Sequence, residues 1–151
     1  MHPLLKKMNY KNQSSVYVIK APKEFETQMK EIADETTLLK DLNTDEKIGF
    51  VIVFCYEKAD VEPHAQKIMP RLEEEALVWF AYPKKSSKRY KSDISRDTGW
   101  EPLGHTGFEP VRQVAIDEDW SALRFKNVDD IKTLTRNKKM TLSEKGKARK
   151  S

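Results

Sequence analysis

A chain of 151 residues with 28 Lys+Arg, 24 Asp+Glu and a formal net charge of +4 is long enough to fold as one domain that buries roughly 70% of its unfolded surface. A single cysteine, Cys55, excludes an internal disulfide and a cysteine-only metal site, and no apolar run approaches the ~18 residues of a membrane span. The charge is uneven: residues 137–151 hold Lys138, Lys139, Lys145, Lys147, Arg149 and Lys150 against Glu144, so this tail carries +5 and the remainder −1. The basic character belongs to the tail and says little about what the body binds.

The opening Met1-His2-Pro3-Leu4-Leu5-Lys6-Lys7 lacks the apolar stretch of a secretion signal, which makes the cytoplasm the expected compartment, with no membrane partner. Residues 1–14 are polar and predict a flexible arm ahead of an α/β domain at 15–136. Ser15 to Lys20 alternates as a strand, Pro22 ends it, and Phe25, Met29, Ile32 and Ala33 fall at helical spacing. A short strand is expected from Thr36 to Leu42, then a turn at Asn43-Thr44-Asp45.

Ile48 to Tyr56 and Ala76 to Tyr82 are apolar on both parities, the mark of strands covered on both faces in a parallel centre. Between them Asp60 suits an N-cap, followed by Val61, Ala65, Ile68 and Met69 on one helix face, with Pro70 as the stop. Strand, helix and strand at this spacing make a right-handed βαβ unit. Cys55 reads as a small core residue of the first of these strands.

Beyond Tyr82 the pattern loosens. Ser92 could cap a short helix through Arg96. Val111 to Ile116 and Trp120 to Lys126 predict an antiparallel hairpin across Asp117-Glu118-Asp119. Asn127 could cap a last helix with Val128, Ile131 and Leu134 on one face, and the tail from 137 has a disordered composition. The expected fold is therefore a single-domain mixed sheet with a parallel centre, helices on both faces and an antiparallel C-terminal hairpin.

The layout over residues 48–126, a central βαβ, an irregular segment, then Gly107-Phe108 entering a hairpin, resembles the C-terminal half of a Rossmann-like methyltransferase. Those enzymes carry a glycine-rich turn after the first strand, where backbone approaches the cofactor. Here the turn is Lys20-Ala21-Pro22-Lys23-Glu24, a departure that speaks against S-adenosylmethionine, and no cofactor is expected. Four ordered blocks, Tyr82-Pro83-Lys84, Ser92 to Asp97, Val111 to Asp117 and Trp120 to Phe125, resemble a bacterial family of proteins of unknown function, domain of unknown function 3052. That resemblance covers roughly residues 15–135 and implies no activity and no catalytic residue.

Ligands of open α/β sheets sit outside the carboxyl ends of the strands. Three predicted strands end at Ala21-Pro22, Tyr56-Glu57-Lys58 and Tyr82-Pro83-Lys84, which share one rim if the strands are parallel neighbours. Lys84 to Lys91 carries five cations in eight residues and no acid. It reads as an anion clamp, with Tyr82, Lys84, Lys85, Lys88, Arg89, Arg96 and Trp100 as ligand-binding candidates, or more plainly as a solvated loop.

Asp93, Arg96 and Asp97 would share a helix face, either as an ion-paired turn or as a general base beside a cation. His105, flanked by Gly104 and Gly107, is the remaining acid–base candidate. His2, His64 and His105 lack partners at metal-ligand spacing, so no metal is expected. Trp79 reads as core and Trp100, after Gly99, as an exposed stacking surface.

The leading expectation is a non-catalytic binding or regulatory domain for an anionic, nucleotide-like small molecule. The alternatives are a small enzyme using Asp93, Asp97 or His105, and a nucleic-acid or protein interaction module acting through the 137–151 tail.

Overall fold

The computed structural model describes residues 1–128. Six strands form one sheet: β1 (Ser15–Ile19), β2 (Thr37–Leu39), β3 (Ile48–Phe54), β4 (Leu72–Pro83), β5 (Phe108–Ala115) and β6 (Trp120–Asn127), in the order β2-β1-β3-β4-β6-β5. The first four run parallel. β6 is antiparallel to β4, and β5 closes the hairpin as the outer strand.

Side chains alternate between two apolar layers with the strand period of two. Val16 and Val18, then Phe50, Ile52 and Phe54, then Leu77, Trp79 and Ala81 face one layer. Tyr17 and Ile19, Val51, Val53 and Cys55, and Val78, Phe80 and Tyr82 face the other. Helix α2 (Glu26–Glu35) covers the first layer with Met29 and Ile32, behind Phe25. Helix α3 (Val61–Ile68) covers the second with Val61, Ala65 and Ile68. Ala33, expected on the buried face of α2, is exposed. The mixed α/β fold expected from the sequence is the fold observed.

The first 14 residues are not a loose arm. Helix α1 (Pro3–Lys7) buries Leu4 and Leu5, and Met8 follows them into the first layer with no exposed surface. The Trp79 indole Nε1 donates to the Met8 carbonyl at 3.1 Å, and His2 Nδ1 caps the helix by accepting from the Leu4 N–H at 3.1 Å. Two leucines and one methionine are a weak periodic signal, which the tryptophan beneath them makes decisive.

Asp60 also caps differently from expectation. Its Oδ2 accepts from the Tyr56 and Glu57 N–H groups at 2.8 and 3.1 Å, upstream of its own helix, and so shapes the turn that leaves β3. β4 starts earlier than predicted, at Leu72, through a register shift opposite Ile48 and Phe50. The expected helix through Ile131 and Leu134, and the 137–151 tail, lie outside the described residues. Among the described residues no helix is long and apolar enough to cross a membrane.

Leu5→Ala should cost about 2–5 kcal/mol in chemical denaturation, the usual loss for a leucine truncated in a packed core. A cost within about 0.5 kcal/mol, typical of surface positions, would return residues 1–8 to the status of an arm.

Candidate functional site: the carboxyl-end rim

β1, β3 and β4 are parallel neighbours, so their carboxyl ends do share one rim. From β1 the chain crosses to β2 on one side, and β3 leads to β4 on the other; this reversal creates a crevice. A hollow of about 640 Å³ lies there, with Lys20, Lys40, Lys67 and His64 around it, Glu26 and Asp41 among them, and Val18, Ala21 and Leu42 on its wall. Arg71 fixes the far side by donating to the Leu42 carbonyl (2.7 Å), Thr44 Oγ1 (2.7 Å) and the Glu46 carbonyl (2.9 Å).

Next to the crevice, three aromatic rings pack edge to face. Tyr56 meets Trp120 at 5.1 Å and Tyr90 at 5.8 Å, and Tyr90 meets Trp120 at 5.0 Å. Glu24 ties them together: Tyr90 Oη donates to its Oε2 at 2.6 Å and Trp120 Nε1 at 3.3 Å. Partial burial pushes Glu24 up, but hydrogen bonds from Tyr90, its own backbone and Trp120, with the Arg89 charge beyond, outweigh it and hold the carboxyl below its usual range. Burial, then Glu24 and Asp60, push the Tyr56 phenol up to about 12. Its hydroxyl donates to the Lys20 carbonyl at 2.9 Å, linking the ends of β1 and β3.

At the end of β4 lies a second groove, about 440 Å³, where Tyr82, Lys84, Lys85, Arg96 and Asp97 meet Ser86, Ser95, Gln113 and Ser121. Gln113 Nε2 donates to Tyr82 Oη at 2.9 Å. Burial raises the Tyr82 phenol against the opposing pull of Ser121 and Arg96, with Asp97 adding to the rise, so the groove presents a neutral phenol. Its basic loop is anchored: Lys84 N–H donates to the Asp119 carbonyl at 2.8 Å. Ser87 Oγ donates to Asp119 Oδ1 at 2.8 Å, and Arg89 Nε pairs with Asp119 Oδ2 at 3.4 Å.

Of the ligand-binding candidates, the groove therefore brings together Tyr82, Lys84, Lys85 and Arg96. Lys88 and Arg89 do not line it, Arg89 being engaged by Asp119. Trp100 is no stacking surface: it is 1% exposed, its Nε1 donates to the Ser95 carbonyl at 2.9 Å, and it packs on Phe80, Tyr82 and Phe125. Gly99, at φ +105, turns the chain inward at a backbone angle that other residues rarely adopt.

Asp93, Arg96 and Asp97 do not share a helix face, because residues 92–98 form turns closed by a Ser95–Thr98 bridge. Ser92 Oγ accepts from Ile94 N–H instead of starting a helix, and Asp93 Oδ1 accepts from Lys58 N–H at 2.7 Å. Only Asp97 of the three acid–base candidates lines the groove. His105 is exposed at the end of the short helix α4 (Glu101–Gly104) and lines neither hollow. His64 Nδ1 is bonded to the Asp60 carbonyl at 2.7 Å and borders the larger hollow. Among the described residues no cluster of three or more His, Cys, Asp or Glu is placed to hold a metal.

The chain has a Rossmann-like fold shared with methyltransferases. It is similar to a ribosomal protein L11 methylase from Lactobacillus delbrueckii subsp. bulgaricus, at 12% identity over 82% of this chain and 75% of that one, with a TM-score of 0.50. A protein assigned as a type 11 methyltransferase from Sulfolobus solfataricus matches at 11% identity over 83% of this chain and 89% of that one, with a TM-score of 0.49. No protein-family model and no curated protein matches the chain, so the resemblance to domain of unknown function 3052 rests on its four sequence blocks.

The likeness is one of fold. The turn after β1 does not fit a cofactor held by close backbone approach. Lys20 stands at φ +60 and lines the hollow, Tyr56 occupies its carbonyl, and Pro22 has no N–H to offer.

The Glu24 latch has a pH signature. A carboxyl with a lowered folded pKa contributes stability that is fully present above its unfolded value of about 4.5 and is lost as pH falls through the folded value. Glu24→Gln should flatten that part of the acid limb in a pH series of thermal melts. An acid limb identical to that of the parent chain would mean that the latch carries no linkage.

Proposed function

We propose that this protein is a non-catalytic binding or regulatory domain that holds a small anionic ligand, nucleotide-like or another phosphorylated or carboxylated metabolite, in the groove at the end of β4. One observation carries the reading. Lys84, Lys85 and Arg96 line a single groove with one acid, Asp97, and none of the three cations is in an ion pair among the described residues. Lysine supplies point charge and Arg96 a planar fork that matches a phosphate or carboxylate. Tyr82, Ser121 and Gln113 add neutral groups that fix orientation, the usual division of labour in a small-molecule site. The resemblance to the family of unknown function is compatible with this reading and adds no activity to it.

The test is a thermal-shift screen of the full chain against nucleotides, sugar phosphates and carboxylates, followed by titration calorimetry of hits. A ligand at 100 times its dissociation constant stabilises by about 2.7 kcal/mol, which at roughly 2–4 °C per kcal/mol gives a shift of several degrees. Arg96→Ala should weaken a hit about tenfold or more, since a hydrogen bond to a charged group contributes about 1.5–3 kcal/mol. S-adenosylmethionine should give no shift. Hits that bind Arg96→Ala and Lys84→Ala as tightly as the parent chain would remove the groove from consideration.

A second reading puts the ligand in the crevice beside β1. It is favoured by the larger volume there and by the position where the strand order reverses. Its signature is opposite: Lys20→Ala and Lys67→Ala weaken the hit and Arg96→Ala does not.

A further inference from the structure

We propose that Arg112 and Arg124 form a second anion site, on the face of the sheet opposite the groove, that takes a tetrahedral oxyanion of the phosphate class. Directly opposed residues of an antiparallel pair share a face. Arg112 on β5 is opposed to Arg124 on β6, and the next pair, Val114 and Ala122, belongs to the apolar layer under α1 and α2. Across the other edge of β6, Arg124 is in register with Trp79 of that same layer. Gln113, adjacent in sequence to Arg112, points the other way, to Tyr82 in the groove. The hairpin thus turns its two arginines to one face and the neutral Gln113 to the groove on the other.

The arrangement is unfavourable as it stands. Like charges directly opposed across strands repel. Arg124 is half-buried, and its Nε is shielded from water with no hydrogen-bond partner among the described residues. Burial, and after it the Arg112 charge, lowers the affinity of the Arg124 guanidinium for its proton. Among the described residues neither arginine is in an ion pair. Glu109, an acid on this face, lies opposite Lys126 and is buried with interactions of its own.

A buried donor without an acceptor in a folded protein calls for an explanation, and a bound ion is one. An oxyanion between the two guanidinium groups would neutralise the repulsion and, with the Arg124 side chain turned toward it, give Nε its acceptor. One fork satisfies the two oxygens of a carboxylate, whereas two opposed forks match the several oxygens of a phosphate.

The experiment is titration calorimetry of the full chain with inorganic phosphate at low ionic strength, matched against chloride. A second arm uses ribose 5-phosphate, to separate free phosphate from a phosphate monoester. Saturable binding is expected in at least one arm. It should weaken about tenfold or more in Arg112→Ala and in Arg124→Lys, which keeps the charge but removes the fork. Arg112 is exposed, so Arg112→Ala tests the site even if Arg124→Lys folds poorly. No saturable binding in either arm, or binding that survives Arg112→Ala, overturns the proposal. Binding lost in Arg96→Ala but kept in Arg112→Ala also overturns it, and assigns the phosphate to the groove.

Discussion

β3 and β4 have no side that meets water along the stretch where they pair: Phe50 to Phe54 and Leu77 to Pro83 are buried throughout. A parallel pair of this kind is stable only with cover on both faces. That requirement sets the positions of α2 and α1 on one layer and of α3 on the other. It also explains why the first eight residues fold back. Without α1, Trp79 would lose both its cover and the acceptor for its indole N–H, and an unmet buried donor is costly.

The same pair fixes the rim. Parallel strands deliver their carboxyl ends to one edge, so turns far apart in sequence become neighbours. The turn after β1, the turn after β3 and the loop after β4 all arrive there, and Glu24, Tyr56, Tyr90 and Trp120 lock together elements that are otherwise joined only through the sheet. Antiparallel pairing of β6 with β4 then brings Ser121 beside Tyr82. β5 adds Gln113, which completes the groove.

The strands and the two-layer architecture were legible because burial on both parities is a local property of nine- and seven-residue windows. The convergence of three strand ends was legible as a conditional statement, which the strand order satisfies. What could not be read was anything that depends on a distant partner. Leu4, Leu5 and Met8 look like incidental apolar residues until Trp79 lies beneath them. Trp100 looks exposed after Gly99, yet Phe80, Tyr82 and Phe125 enclose it. Asp93 suggests a helical ion pair, yet the Lys58 N–H claims it. The lysines around the larger hollow come from the end of β1, the segment after β2 and α3, with no shared motif. The opposition of Arg112 and Arg124 needs the hairpin register, which a bulge between Pro110 and Arg112 resets.

Cys55 stands immediately after β3, with its N–H bonded to the Ala81 carbonyl at 2.9 Å and no exposed surface. Burial, and behind it the nearby Asp60 charge, pushes its thiol far up, and thiol chemistry proceeds through the thiolate. Since it is the sole cysteine of the chain, the folded protein is silent to alkylating reagents except in the moments when the sheet parts. The rate of labelling is then a clock for the opening of the parallel centre. The amino-acid sequence has built a single-site reporter into the element on which the rest of the molecule hangs.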